Sequence, residues 1–348
     1  MKGRFVFHPV GQGLFYTGEI SEGDYSFRFV YDCGGDFIQR ETDEYINSLN
    51  GSKIDLLVLS HLHEDHINGI DVILKNMARN GRVIFPYCSS SMRIMYLWNL
   101  EKRGKNSGEV KSFCEDPVSY IKGKTGTNSE VSIIQVSKRP EEMLTGEESE
   151  SYSKERSVIE SEDVLNAGRF IFRKKRDQNV FLTGDLEITA PFCAGWKIKI
   201  SQPFFDIEKY KEYRKILADN GICDLDSLRI NHDVLKQLRM INYYQNKSCL
   251  IMQHGYGLHK DTVLCGDLPE SKNKNIRDEV GVDPFVFQIP HHGGKTRCIS
   301  VNNAENCVVS YGLKNHYRHP DKDVIKNYRI TSTVHELTEA SSPYMYCI

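Results

Sequence analysis

Apolar and polar residues alternate in two separated parts of the chain, one before about residue 87 and one after about residue 245. In both parts, short runs of branched apolar residues end at Gly, Pro, Asn or Asp, which predicts buried strands. Between them lie segments with apolar residues at helical spacing. The predicted strands are 5–10, 14–18, 26–32, 54–60, 82–86, 248–253, 261–265, 286–290 and 307–311; the predicted helices are 41–49, 68–78, 89–103, 207–220 and 224–244. This order of elements indicates an α/β fold.

The middle of the chain departs from this pattern. Residues 104–165 are mainly polar, and segment 141–161 is acidic and rich in Ser, a composition that forms little regular structure. We interpret 87–245 as a large, partly helical insertion that also contains some strands of the core. The 348 residues are therefore expected to form a single domain.

Composition narrows the classes of function and the compartment. The formal net charge is −2, so the chain has no general basic field for gripping long nucleic acid. Its 10 cysteines are scattered without a CxxC pair, which favours free thiols in a reducing compartment over a disulfide framework. The sequence has no secretory signal pattern and no run of about 18 apolar residues. We expect a cytoplasmic protein that does not associate with a membrane.

The densest group of chemically active side chains follows predicted strand 54–60 directly. His61, His63, Asp65 and His66 lie within six residues there, before a predicted helix. Imidazole and carboxylate groups are the usual ligands of zinc and of neighbouring first-row metals. His61 and His63 are two residues apart and project to one side of an extended segment, whereas Asp65 and His66 follow where the chain turns. One loop can thus offer two ligands to each of two metal ions.

This HxHxDH pattern resembles the signature of the metallo-β-lactamase superfamily. The segments 10–13 (VGQG) and 29–35 (FVYDCGG) resemble the first strands of that superfamily and their turns. Later motifs resemble one branch, the metallo-β-lactamase-like domain of the DNA-internalisation competence proteins (ComEC-type). They are Asn246 with Ser248, Gly266-Asp267, His291-His292-Gly293-Gly294-Lys295 and His319-Pro320. Gly294 stands where that branch has Ser, and the resemblance covers roughly 4–80 and 240–325.

The resemblance implies a four-layer αββα metallo-β-lactamase sandwich and a site for two divalent metal ions, either Zn²⁺ or Mn²⁺. It implies the metal ligands His61, His63, Asp65, His66, Asp267, His291 and His319. Asp65 is also the expected catalytic residue, which orients or deprotonates the attacking water. His292 and Lys295 are expected to contact substrate or to orient a ligand, and Asp32 to hydrogen-bond the histidine loop.

Two choices stay open at this level. Only one of His291 and His292 is expected to bind metal, and the sequence does not say which. A second Gly-Asp pair, Gly184-Asp185, also follows a predicted strand. The order of the motifs along the chain favours Asp267 over Asp185.

The expected activity is hydrolysis of a phosphodiester, as in a phosphodiesterase or nuclease, by a hydroxide that bridges two metals. The partner is then a nucleic acid or nucleotide substrate. One alternative is hydrolysis of a small carbonyl compound, such as a thioester or a lactam. Another is a metal-stabilised module that binds a partner protein through the insertion 87–245.

Overall fold

Two β-sheets form the centre of the computed structural model. It describes residues 1–88, 90–102, 108–126, 131–137, 179–183, 186–189, 195–202, 207–222, 225–229, 234, 249–256, 261–268, 283–295 and 304–348. The strands are β1 (Lys2–Phe7), β2 (Gly13–Glu22), β3 (Tyr25–Gly35), β4 (Ile54–Val58), β5 (Met77–Pro86), β6 (Ser132–Ser137), β7 (Asn179–Thr183), β8 (Leu186–Thr189), β9 (Trp196–Ser201), β10 (Ile251–Tyr256), β11 (Thr262–Leu264), β12 (Val286–Gln288), β13 (Asn306–Ser310), β14 (Thr333–Leu337) and β15 (Tyr344–Cys347).

The helices lie on the outer faces of these sheets. They are α1 (Ile38–Ser48), α2 (Glu64–Ile67), α3 (Ile70–Lys75), α4 (Ser90–Lys102), α5 (Gly108–Glu115), α6 (Pro117–Thr125), α7 (Ile207–Asp219), α8 (Leu225–Arg229) and α9 (Lys322–Thr331). Among the described residues, no helix is long and apolar enough to cross a membrane.

The two sheets share an aromatic core. The first sheet has the order β15-β1-β2-β3-β4-β5-β6-β7, and the second has the order β14-β13-β12-β11-β10-β9-β8. Phe5, Tyr16 and Phe29 of the first sheet pack with Trp196 and Met252 of the second, and all five are buried. Full burial of one such side chain contributes roughly 1.5–3 kcal/mol, so this layer holds the sheets face to face.

A further apolar layer covers the outer face of each sheet. Ile73 and Phe113, from α3 and α5, pack against residues of the first sheet. Val324 and Tyr328 of α9 pack against Phe287 in the second. Helices, two sheets and a helix thus form four layers, and the predicted αββα metallo-β-lactamase fold is confirmed.

The middle of the chain contributes to both sheets. Strands β6 and β7 extend the first sheet beyond β5, and β8 and β9 belong to the second. The boundaries of the predicted insertion at 87–245 stay a prediction. Parts of two predicted elements, at 230–233 and 235–248, lie outside the described residues, as do Asp185, Asn246 and Ser248.

Some predicted boundaries are wrong for identifiable reasons. Only α3, at Ile70–Lys75, lies within the predicted helix 68–78, and α2 precedes that range. The helix ends early because Met77 already pairs with Ile54 as part of β5. Strands β14 and β15 were not predicted. Each lies at the edge of its sheet and is only partly buried, so its apolar alternation is weak.

Parallel pairing sets the place of the functional residues. β3, β4 and β5 run parallel to one another in the first sheet, and β11, β12 and β13 do so in the second. Parallel strands bring their carboxyl ends to one edge, where open α/β sheets commonly bind ligands. The histidine loop follows β4 at this edge, and His291 and His292 follow β12.

Candidate metal centre

The histidine loop lies directly against the end of β3. A Cβ atom built on Gly34 would stand 2.4 Å from the backbone nitrogen of His66, so only glycine permits this approach. Asn68 fixes the same contact, because its side chain accepts from Gly35 N–H at 2.9 Å and donates to Gly35 O at 3.0 Å. The end of β3 therefore sets the position of the histidine loop, which follows β4.

The first group of candidate ligands consists of His61, His63 and Asp267. Their ligand atoms all lie within 4.8 Å of one another, and the three residues are buried. His61 Nε2 and His63 Nδ1 are 2.9 Å apart, and His61 Nε2 is 3.9 Å from Asp267 Oδ2. Two imidazole nitrogens and one carboxylate oxygen thus converge on one point.

The second group consists of Asp65, His66 and His292, again with ligand atoms within 4.8 Å of one another. His292 Nε2 is 3.4 Å from Asp65 Oδ2. His292 thus belongs to this group of candidate ligands, whereas His291 does not. Which of His291 and His292 binds metal, the choice that the sequence left open, stays a prediction.

Asp267 lies between the two groups. Its Oδ1 atom is 3.1 Å from His66 Nε2 and 3.7 Å from His292 Nε2. Its Oδ2 atom is 3.9 Å from His61 Nε2 and 3.6 Å from His291 Nε2. One carboxylate thus presents one oxygen to each group, which is the geometry of a bridging ligand.

Three imidazoles are each held in orientation by a hydrogen bond at Nδ1. His61 Nδ1 is 2.9 Å from Ser60 Oγ, His66 Nδ1 is 2.7 Å from Asp32 Oδ2, and His292 Nδ1 donates to Ser310 O at 2.8 Å. A proton held on Nδ1 leaves the Nε2 lone pair directed at the centre, as in most metal-binding histidines. Ser60 and Ser310 have no sequence signal beyond their places at strand ends, so the sequence did not identify them.

Asp32 supports both groups at once. Its carboxylate accepts from Ser60 N–H at 2.6 Å and from the Ser60 hydroxyl at 2.7 Å, besides its contact with His66. Because the hydroxyl donates to Asp32, Ser60 Oγ accepts from His61. Asp32 has a φ of 53°, an uncommon backbone conformation for a residue other than glycine. The predicted hydrogen bonding of Asp32 to the histidine loop agrees with this geometry.

Electrostatics keep the central carboxylates ionised. Burial alone would raise the pKa of Asp267, but the imidazoles of His291, His66 and His292 hold it well below its usual range. Burial acts on Asp65 in the same way, and His292 and His66 hold the pKa of Asp65 well below its usual range. The pKa of His61 is lowered by burial and by the neighbouring His66 and His63.

The donor set fits two divalent cations. His292 Nε2 is buried and has no hydrogen-bond partner among the described residues, although its other nitrogen is fully used. Unsatisfied buried nitrogens cost free energy unless a ligand occupies them. Imidazoles with a shared carboxylate are a typical environment for Zn²⁺ and also accept Mn²⁺.

His291 and His319 lie beside the first group, at its open side. Their ring centroids are 4.9 Å apart. A Cβ atom on Gly294 would stand 2.8 Å from His291 Nδ1 and 2.9 Å from His319 Nε2. The glycine that replaces the expected Ser therefore makes room for these two rings. The ligand roles of His291 and His319 stay predictions.

Lys295 is not brought into either group. Its side chain is 72% exposed, and its ammonium is 3.7 Å from Asp323 Oδ2. The predicted contact between Lys295 and substrate stays a prediction.

Comparison with known families agrees with this geometry. A model described as "Metallo-beta-lactamase superfamily" matches residues 23–76, which contain β3, β4 and the histidine loop. The match shows that this segment is similar to the metallo-β-lactamase superfamily. A search of curated proteins gave no match.

Several solved structures have weak overall similarity to this chain. A possible metal-dependent hydrolase from Veillonella parvula DSM 2008 is 10% identical, with 99% of each chain covered and a TM-score of 0.38. The metallo-β-lactamase SMB-1 bound to 2-mercaptoethanesulfonate is 8% identical, with 79% of this chain and 70% of that chain covered and a TM-score of 0.28. MIM-1 from Novosphingobium pentaromativorans is 8% identical, with coverages of 78% and 66% and a TM-score of 0.24. All three TM-scores are below 0.5, so nothing further about this chain follows from these structures.

Proposed function

We propose that this protein is a dinuclear metal-dependent hydrolase that cleaves phosphodiesters. The observation that carries the proposal is the position of Asp267, whose two oxygens face two separate groups of ligands. Two metal positions that share a carboxylate are the usual basis of hydrolysis by a dinuclear clamp.

Each of the two groups supplies the ligands of one metal position. His61, His63 and Asp267 would hold one ion, and Asp65, His66 and His292 the other. Asp267 would be shared. We expect the first set to be completed by His291, whose Nε2 is 3.6 Å from Asp267 Oδ2, and by His319 beside it. When bound, two such ions lower the pKa of a shared water and neutralise the charge that develops on the substrate.

The two central carboxylates differ in access, which separates their roles. The side chain of Asp267 is 5% exposed, whereas that of Asp65 is 22% exposed. Asp267 is thus enclosed by imidazoles and serves to hold the centre together. Asp65 is ionised and more exposed, so we expect it to orient the attacking water.

Phosphodiesters are preferred over carbonyl compounds because of the motifs in the second half of the chain. Gly266-Asp267, His291-His292-Gly293 and His319-Pro320 resemble those of the competence-protein domain, and the first of these motifs supplies the bridging carboxylate. With a net charge of −2 the chain lacks the many basic contacts needed for long duplexes. Short, single-stranded or small cyclic substrates are therefore favoured within the class.

The compartment is proposed on separate grounds. The described cysteines are free, and Cys33, Cys88, Cys114, Cys249, Cys265 and Cys307 are buried. Buried free thiols fit a reducing compartment, which supports a cytoplasmic protein.

The test compares substrate classes on one metal-loaded preparation. We expect bis-p-nitrophenyl phosphate to be hydrolysed with Zn²⁺ or Mn²⁺ present, and a thioester and a β-lactam to be poor substrates. His63→Ala should remove the activity, because it empties part of the first position. His335→Ala, on β14, is the control and should behave as wild type. Turnover of the thioester or the lactam alone would contradict the phosphodiesterase proposal. An inactive, fully metallated protein would instead favour a partner-binding module.

A further inference from the structure

A rigid loop between β13 and α9 lies beside the candidate metal centre. Asn315 closes this loop, because its amide donates to Gly312 O at 2.6 Å and to His319 O at 2.7 Å. The Asn315 side-chain oxygen also accepts from His319 N–H at 2.9 Å. These hydrogen bonds fix the backbone of the loop from Gly312 to His319.

A row of three rings leads from the metal centre to the surface of this loop. The first ring, His291, has its Nε2 atom 3.6 Å from Asp267 Oδ2. His319 follows with its ring centroid 4.9 Å from that of His291. Tyr317 is the outermost, stacked on His319 with centroids 5.7 Å apart and an angle of 28° between the rings. An exposed aromatic ring is thus linked to Asp267 through two histidine rings.

The outside of the loop carries both apolar and basic side chains. Tyr317 is 55% exposed and Leu313 is 59% exposed. Lys314 and Arg318 are exposed on the same loop. Packing alone accounts for the face of Tyr317 that covers His319. Packing does not explain why the rest of the Tyr317 ring is exposed. It also does not explain why exposed Leu313, Lys314 and Arg318 lie on the same loop.

We propose that Tyr317 stacks on a nucleobase of the substrate and so selects nucleotide phosphodiesters. The inference rests on the proposed function, since it concerns what the same centre cleaves. Stacking of a base on an aromatic side chain is tolerant of base identity and is the usual way of holding single-stranded nucleic acid. Lys314 and Arg318 would meet a neighbouring phosphate of the same ligand.

The test uses two substrates with the same leaving group. Thymidine 5′-p-nitrophenyl phosphate contains a base, whereas methyl p-nitrophenyl phosphate does not. The measured quantity is the kcat/KM for the first substrate divided by that for the second. We expect Tyr317→Ala to lower this ratio by about 5- to 150-fold, the range for loss of one stacked base. Tyr317→Phe keeps the ring and should keep the ratio.

The control removes an equally exposed tyrosine far from the site. Tyr25 is 50% exposed and begins β3, at the opposite end of that strand from Asp32. Tyr25→Ala should leave both rates unchanged. Metal content of each variant, by elemental analysis, verifies that Tyr317→Ala has not emptied the centre through His319.

The outcomes separate this inference from the proposed function. An unchanged ratio in Tyr317→Ala, or an equal loss on both substrates, would overturn the stacking role. A wild-type protein that cleaves neither phosphodiester would instead overturn the proposed function. In that case, calorimetric titration of the metal-loaded protein tests base stacking by binding alone, without cleavage. Thymidine 5′-monophosphate should bind more tightly than methyl phosphate in wild type, and equal binding would refute base stacking.

Single-stranded nucleic acids and cyclic dinucleotides both contain a base next to a phosphodiester, so both are possible substrates of this kind. A short single-stranded oligonucleotide and a cyclic dinucleotide, compared in the same assay, distinguish these sources. For either of them, Tyr317→Ala should lower kcat/KM in the same range, and an undiminished value on both would contradict the proposal.

Discussion

Two kinds of buried histidine occur in this molecule, and they differ in charge environment rather than in depth. His254 lies between the two sheets, with its ring 4.9 Å from Phe5, 5.1 Å from Phe29 and 5.4 Å from Trp196, measured between centroids. Its Nε2 is 2.7 Å from the hydroxyl of Tyr16. Burial among these rings lowers the pKa of His254 to about 3.

His66 is equally buried but lies between two carboxylates. Burial opposes its charge, but Asp267 and Asp32 raise the pKa of His66 well above its usual range. Burial alone therefore says little about the role of a histidine. The informative signs are a partner that holds Nδ1 and a carboxylate that shares the space in front of Nε2.

The largest effect is expected from removing the shared carboxylate. Asp267→Ala should abolish turnover and empty both positions, because each group loses an oxygen ligand. The loss should exceed the roughly 10- to 100-fold that follows removal of a ligand's hydrogen-bond partner. Turnover and elemental analysis measure the two effects. Wild type should carry two ions per chain.

The second Gly-Asp pair supplies the matched control. Asp185→Ala should leave turnover and metal content near wild type. The reverse result, with Asp185 essential and Asp267 dispensable, would show that the motifs of the second half had been assigned to the wrong strand.

A smaller effect is expected from the residue behind the ligands. Asp32→Asn should weaken metal affinity by roughly 10- to 100-fold, because Asp32 orients His66 directly and His61 through Ser60. Competition with a chromophoric chelator measures this affinity. Ser60→Ala removes the contact with His61 and one hydrogen bond to Asp32 but leaves the contact between Asp32 and His66, so it should weaken one of the two ions more than the other. Wild-type affinity in Asp32→Asn would mean that burial, not hydrogen bonding, positions the imidazoles.

A more modest loss is expected at the rim of the centre. Gly294→Ser should lower kcat on the order of 10-fold, because the new side chain forces His291 and His319 apart. Gly123→Ser is the control, since a Cβ atom there meets nothing within 4 Å. Full activity of Gly294→Ser would show that His291 and His319 have no part in the mechanism.

The smallest effect at neutral pH is expected for His254. The unfolded chain takes up its proton near pH 6.5, whereas the folded protein does so only near pH 3. Stability from neutral His254 is thus complete above pH 6.5 and is lost as the pH falls towards 3, by up to about 1.4 kcal/mol per pH unit. Denaturant unfolding of wild type and His254→Gln between pH 4 and 7 measures this dependence. Identical slopes in both proteins would contradict the contrast drawn between His254 and His66.

The sequence predicted best what is local. The histidine loop and the strand before it follow from spacing and from apolar runs within short segments. The αββα layers follow from the resemblance that the short motifs carry. The division of the Asp267 oxygens between two groups could not be predicted, because it depends on where two sheets meet. The supporting roles of Ser60 and Ser310 were missed for the same reason, as was the stacking of Tyr317 on His319. Helices α5 and α6 lie in a polar segment where the apolar pattern is too weak to indicate them.

The division of the centre between two sheets also determines when it can form. His66 and Asp267 are 201 residues apart in the chain, and Asp267 is followed by further candidate ligands on the same sheet. Contacts this distant in sequence require a large loss of chain entropy, so they form late, after the local strands and helices. A chain still being synthesised has the histidine loop long before it has Asp267. Hydrolytic activity should therefore arise only once the sandwich has closed, and an unfinished or half-folded chain should be inert.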